Sequence, residues 1–293
     1  MTLSVGCIAT GVRDEEQGVE LPVWLLYPSS ALERDEQFGP YRIGLSMNAA
    51  FEGAVRGVVI VSHGNNGSPW THRDTACELV RSNYAVVFVE HIGNSRSDGS
   101  LERSFENLVN RPRHVRLALD WVLGNSTFAP ALRGKPVAGL GHSIGAYTLL
   151  AAAGGRPTAF AQANLEGPQK PVPVERDPRL RALVLLAPAS IWFSVNGALS
   201  EVDVPILLRR GEHDALTPAL HSELIVRGVR NPERVDYRVV PGAGHFSFQS
   251  PFPVSMTRPD FPPSQDPPGF DRRVYQKLMN AEILSFLERQ LVS

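Results

Sequence analysis

The stretch Pro136-Val-Ala-Gly-Leu-Gly-His-Ser143-Ile-Gly145-Ala-Tyr-Thr-Leu-Leu-Ala-Ala-Ala153 sets a serine between a short apolar run and an alanine-rich one. Residues 137–140 read as a buried strand, and residues 146–153 are helix formers at nearly every position. Gly141 and Gly145 leave room for a turn in which a side chain at either position would clash. This is the pattern of a nucleophile elbow, a strained strand-to-helix turn that lifts the serine hydroxyl clear of a sheet. The pattern G-x-S-x-G alone arises by chance about one time in ten in a chain of this length. The strand before it and the helix after it carry the reading, against the alternative of a glycine turn with an exposed serine.

Outward from the elbow, strand-like runs at 21–27, 57–62, 84–90, 137–140, 182–187, 205–210 and 235–239 alternate with helical patterns at 74–82, 113–123, 143–153, 218–229 and 272–291. Such alternation predicts an α/β fold, with a mostly parallel central sheet flanked by helices on both faces. Prolines in Thr217-Pro218 and Asn110-Arg-Pro112 mark first turns of helices. With 293 residues, 43% of them hydrophobic and 20% charged, the chain fits one catalytic domain over 1–293. Proline- and glycine-rich segments at about 154–178 and 246–270 are expected as long loops.

In an open α/β sheet ligands bind at the carboxyl ends of the strands, so reactive residues should follow strands directly. The proton acceptor for Ser143 must combine a pKa near neutrality with two opposed nitrogens, which only imidazole does. His245, after the strand ending near Val239, is the candidate. His221 falls inside a predicted helix and reads as part of a solvated face. His63 and His142 adjoin the site with expected duties in turn support and packing. Asp214, just past the strand at 205–210, gives the order Ser, Asp, His and would orient His245; Glu212 is its rival, and Asp203 and Asp236 precede strands. The amides of Asn65, in the turn after 57–62, and Ile144, after the nucleophile, are the expected oxyanion donors. No zinc-binding helix, phosphate loop or dinucleotide fingerprint occurs, so no metal or cofactor is implied.

The chain resembles the α/β-hydrolases, and more narrowly the dienelactone hydrolase group related to platelet-activating-factor acetylhydrolases. The likeness runs from about Val58 to the end. It is carried by Ser62-His-Gly-Asn-Asn-Gly-Ser-Pro, Glu90-His-Ile-Gly-Asn, Arg111-Pro-Arg, Leu119-Asp-Trp-Val-Leu, Gly141-His-Ser-Ile-Gly-Ala, Gly211-Glu-His-Asp-Ala-Leu-Thr-Pro, Gly244-His-Phe-Ser-Phe and Asp266-Pro-Pro-Gly-Phe-Asp-Arg. Ser143 stands where dienelactone hydrolases have cysteine. What the resemblance implies here is a serine hydrolase acting on an ester or related acyl bond.

The expectation is therefore a carboxylic ester hydrolase, with a small-molecule ester or acyl compound as substrate. An amidase, thioesterase or acyl transferase on the same triad, or an idle hydrolase fold that binds a ligand, are the alternatives. Trp192, Phe193, Phe246 and Phe248 are expected to wall the pocket. A formal net charge of −1 leaves no electrostatic footprint for nucleic acid or an anionic membrane surface. Cys7, in a first strand, and Cys77, in a helix, have no metal-ligand spacing and read as small buried hydrophobes. The N-terminus has no basic region followed by a long apolar run, and no segment approaches a membrane span, which reads as a cytoplasmic protein without an integral membrane segment.

Overall fold

Four strands open the chain, β1 (Ser4–Asp14), β2 (Val19–Ser29), β3 (Arg34–Phe38) and β4 (Tyr41–Met47). Alternation then follows through β5 (Gly57–Ser62), α1 (Arg73–Arg81), β6 (Tyr84–Val89), α2 (Phe105–Asp120), a single-turn α3 (Ala129–Leu132), β7 (Val137–His142) and α4 (Ile144–Ala152). After a small hairpin of β8 (Thr158–Phe160) and β9 (Gln169–Pro171) come β10 (Leu180–Leu186), β11 (Ile206–Gly211), α5 (Ala219–Gly228), β12 (Val235–Val240) and α6 (Arg272–Leu291). The computed structural model describes residues 3–160 and 169–291. The loop expected at 154–178 therefore lies partly outside the described residues, at 161–168, and its flanks pair as β8 and β9.

The main sheet has the order β12-β11-β10-β7-β5-β6-β2-β1-β4-β3. Neighbours from β12 to β6 are all parallel, whereas β2 runs antiparallel to β6 and β1 antiparallel to β2. Every residue of β5, β6 and β7 is buried, as expected of unbroken apolar runs covered on both faces. Alternate residues serve opposite layers: Val58 and Ile60 pack with α2, α4 and α5, Val59 and Val61 with α1 and α6. The exposed outer strand β3, Arg34-Asp-Glu-Gln-Phe, carries the charges that discourage further strand addition.

One helix start departs from the sequence expectation. Pro112 reads in sequence as a first-turn residue, but α2 begins at Phe105, where Ser104 Oγ accepts the Asn107 amide at 3.0 Å, and Pro112 lies inside the helix. A proline there has no N–H for the carbonyl of Leu108, four residues earlier. The Tyr147 hydroxyl of α4 donates to that carbonyl at 3.0 Å, so the gap in the ladder is filled from the neighbouring helix.

Because β5, β7, β10, β11 and β12 run parallel, their carboxyl ends share one edge of the sheet. The segments that carry His63 to Gly67, Ser143, Asp214 and His245 all leave from that edge.

Candidate active site

The elbow is built on steric necessity. A methyl group on Gly145 would sit 1.9 Å from the Ser62 carbonyl oxygen, and one on Gly141 would sit 2.5 Å from that of Gly145. With both positions bare, α4 approaches the end of β5 closely enough to turn the chain at Ser143, which takes φ 56° and ψ −122°. Left-handed backbone on a side-chain-bearing residue costs on the order of 1–3 kcal/mol and persists only where the surroundings impose it. Here the Ser143 amide donates to Leu186 O at 3.1 Å, and its carbonyl accepts from Ala189 at 3.0 Å, tying the turn to the end of β10.

Asp214 and His245 meet across the ends of β11 and β12. His245 Nδ1 lies 2.9 Å from Asp214 Oδ2, with both side chains buried. The same carboxylate accepts from the Leu216 and Thr217 amides at 3.0 and 2.8 Å and from the Thr217 hydroxyl at 2.7 Å. Burial alone would raise the Asp214 carboxyl, but the bonds from His245 and Thr217 outweigh it and hold it below its usual range. Glu212 points away and accepts from the exposed Gly242 amide at 2.8 Å. Asp203 and Asp236 are engaged with Arg234 and Arg209 elsewhere on the sheet.

Asn65 lies in the turn after β5, and Ile144 opens α4, where a helix has no carbonyl of its own for its first amides. Among the described residues neither backbone N–H is taken by a protein acceptor. The Asn65 side chain is held on both sides, Nδ2 donating to Glu102 at 2.9 Å and Oδ1 accepting from Asn94 at 2.7 Å.

The other histidines divide differently from their expected duties. His63 does support its turn, with Nδ1 on Gly64 O at 2.8 Å and Nε2 accepting the His91 amide at 3.1 Å. His142 does more than pack: its Nε2 donates to the backbone carbonyl of His245 at 2.9 Å. Burial, with His245 and His72 beside it, holds His142 well below the ordinary imidazole range, so it stays neutral in that bond. His221 is not on a solvated face; Nδ1 accepts the Ser190 amide at 2.9 Å, fastening α5 to the loop after β10.

Ser143 and His245 open into a cavity of about 440 Å³. Phe246 lines it as expected, and Phe252, Phe261 and Pro263 from the segment after it line it as well. The remaining pocket expectations are corrected. Phe248 is fully buried in the core, edge-on to Tyr275, because the chain turns tightly here, the Gln249 amide donating to Phe246 O at 3.1 Å, and carries Phe248 away from the cavity. Trp192 and Phe193 pack on the Tyr147 ring and are absent from the cavity lining. Tyr41 from β4 and Arg96 from the loop after β6 take their place.

Among solved structures, a ferulic acid esterase from Streptomyces cinnamoneus superposes with a TM-score of 0.73 at 18% identity, covering 99% of this chain and 91% of that one. The chain has the α/β-hydrolase fold. A dienelactone hydrolase from Anabaena variabilis aligns with this chain at TM-score 0.59 and 16% identity, over 99% of this chain and 100% of that one. A dienelactone hydrolase-like promiscuous phosphotriesterase from metagenomic libraries gives 0.62 and 14%, over 97% and 99%. The serine aminopeptidase S33 family model matches residues 53–196, which contain the elbow and stop short of Asp214 and His245. An uncharacterized protein of Mycobacterium tuberculosis, matched in two strains, is 28% identical over 197 residues. That match spans 64% of this chain and 62% of the relative's length.

Thr217 is the site residue that sequence reasoning passed over. Its signal was present in Asp214-Ala-Leu-Thr217-Pro, since an aspartate that accepts amides two and three residues on closes a tight local turn and brings the threonine hydroxyl back to its own carboxylate.

Proposed function

We propose that this protein is a serine hydrolase that cleaves carboxylic esters through an acyl-enzyme. The observation that carries the reading is the His245–Asp214 contact of 2.9 Å, opening with Ser143 onto one cavity at the carboxyl edge of the sheet. Ser143 Oγ attacks the ester carbonyl carbon while His245 Nε2 takes its proton, Nδ1 being engaged by Asp214. The carbonyl electron pair moves onto oxygen, where the Asn65 and Ile144 amides receive the charge. Collapse expels the alcohol, which takes the proton back from His245. Water then repeats the sequence on the acyl-enzyme and releases the acid.

The cavity lining favours an ester over an aminoacyl substrate. Among the described residues it presents Tyr41, Phe246, Phe252 and Phe261, one guanidinium in Arg96, and no Asp or Glu. An aminopeptidase must pair the substrate's α-ammonium group with an acid or comparable acceptors, and a guanidinium at that wall repels it. A compound with an apolar or aromatic acyl group, neutral or anionic, fits the lining better. A panel of p-nitrophenyl esters set beside aminoacyl p-nitroanilides tests this. Esters should turn over with kcat/KM about a hundredfold or more above the anilides; the reverse preference would overturn the ester reading.

A further inference from the structure

Arg111 is, with Arg209, among the largest fully buried side chains of the described residues, and no carboxylate among those residues pairs with it. Burying a guanidinium without a counter-ion is unfavourable, and burial pulls its pKa down to about 9, which leaves it protonated at neutral pH. A cation kept in such a place needs strong partners. Those partners lie in two separate parts of the proposed site.

On one side, Nη1 donates to Asn94 Oδ1 at 2.7 Å, and Asn94 Nδ2 donates in turn to Asn65 Oδ1 at 2.7 Å. Nη2 donates to the carbonyl oxygen of His63, at the head of the same turn. On the other side, Nε donates to Thr148 Oγ1 at 3.0 Å, and that hydroxyl donates to the Ile144 carbonyl at 2.9 Å. One planar fork thus reaches both residues proposed to supply the oxyanion amides, Asn65 through Asn94 and Ile144 through Thr148. Its five N–H donors in a fixed plane suit that task, whereas an ammonium on a flexible stem would hold only one partner well.

We propose that Arg111 is the positioning residue of the oxyanion site, clamping the Asn65 turn and the first turn of α4 at a fixed separation and adding its buried positive charge behind them. This rests on the serine hydrolase reading above. Its effect belongs to the step in which the Ser143 Oγ–carbon bond forms and the carbonyl electron pair moves to oxygen, when negative charge first develops between the two amides.

The test compares Arg111→Met, Arg111→Lys and the near-isosteric Thr148→Val with the unaltered protein. Two quantities are measured: kcat and KM on p-nitrophenyl butyrate, and affinity for butylboronic acid, whose tetrahedral serine adduct carries an oxyanion. Arg111→Met should lose about a hundredfold in kcat and a similar factor in boronate affinity, with KM changed by no more than about threefold. Arg111→Lys should recover part of both, and Thr148→Val should lose about tenfold in each. Should Arg111→Met fail to fold, Thr148→Val decides by the same two quantities. Folded variants with kcat and boronate affinity within about threefold of the parent would overturn the proposal, as would a fall in kcat with boronate affinity intact. Ser143→Ala separates the two readings: if it still turns over ester, the serine hydrolase reading fails first, whereas an inert Ser143→Ala beside unaffected Arg111 and Thr148 variants defeats only the clamp.

Discussion

Single residues set the geometry of the site through contacts that leave no tolerance. Gly145 is fixed by a backbone oxygen 1.9 Å from where its Cβ would stand, and that restriction, more than any hydrogen bond, puts Ser143 at φ 56°. Such necessity is legible in a sequence because glycine on both sides of a serine has few other uses between a strand and a helix. Thr217 is the opposite case, an unremarkable residue whose role depends on a turn three residues long. Its hydroxyl, 2.7 Å from Asp214 Oδ2, shares that oxygen with His245 Nδ1. Thr217→Val keeps the shape and deletes the bond. It should lower kcat on p-nitrophenyl esters about tenfold with KM nearly constant, because the imidazole is then held by a carboxylate less well fixed; an unchanged kcat would show that the backbone amides alone orient Asp214.

Among secondary-structure elements, α2 shows where sequence rules stop. Pro112 signalled a helix start correctly by its own chemistry, and the signal misled because the missing donor is replaced by Tyr147, a residue of another helix. The hairpin of β3 and β4 was missed for a related reason: charged, alternating segments acquire their strand character from the sheet edge they cover, not from their own apolar content. The same helix α2 is anchored to the end of β1 by a buried ion pair. Arg113 Nη2 lies 2.9 Å from Asp14 Oδ2, with His114 Nε2 at 3.5 Å from the same oxygen. Burial by itself would raise the Asp14 carboxyl, but the bonds from His114 and Arg113 prevail and hold it well below the usual range. A carboxyl depressed on folding contributes stability that is fully present above its unfolded value of about 4 and is lost as pH falls toward its folded value. Asp14→Asn should therefore cost about 3–5 kcal/mol at pH 7, since Arg113 is left buried with the exposed Glu16 as its one carboxylate partner among the described residues, beside the neutral Asn110. Thermal denaturation of both proteins from pH 7 down to about 2.5 should show the gap narrowing below pH 4. A gap that stays constant over that range would mean that the pair contributes shape and not charge.

At the level of the whole molecule, the parallel half of the sheet was readable and the pocket was not. Strand runs such as 57–62 and 205–210 lie one after another along the chain, so their common carboxyl edge follows from alternation with helices, and Ser143, Asp214 and His245 follow from that edge. The cavity wall is instead assembled from segments that no local rule brings together, Tyr41 from β4, Arg96 from the loop after β6 and Phe261 from the loop before α6. Trp192 and Phe193, from the loop after β10, pack instead against the Tyr147 ring at the side of the core. The central claim is that the elbow serine forms a covalent acyl intermediate while His245 and Asp214 serve it. Mass spectrometry of peptides from protein quenched during turnover of a slowly deacylating p-nitrophenyl ester measures this directly. One acyl group on the peptide that contains Ser143, absent from Ser143→Ala, is the expected result; turnover by Ser143→Ala, or an acyl group carried by any other residue, would contradict it.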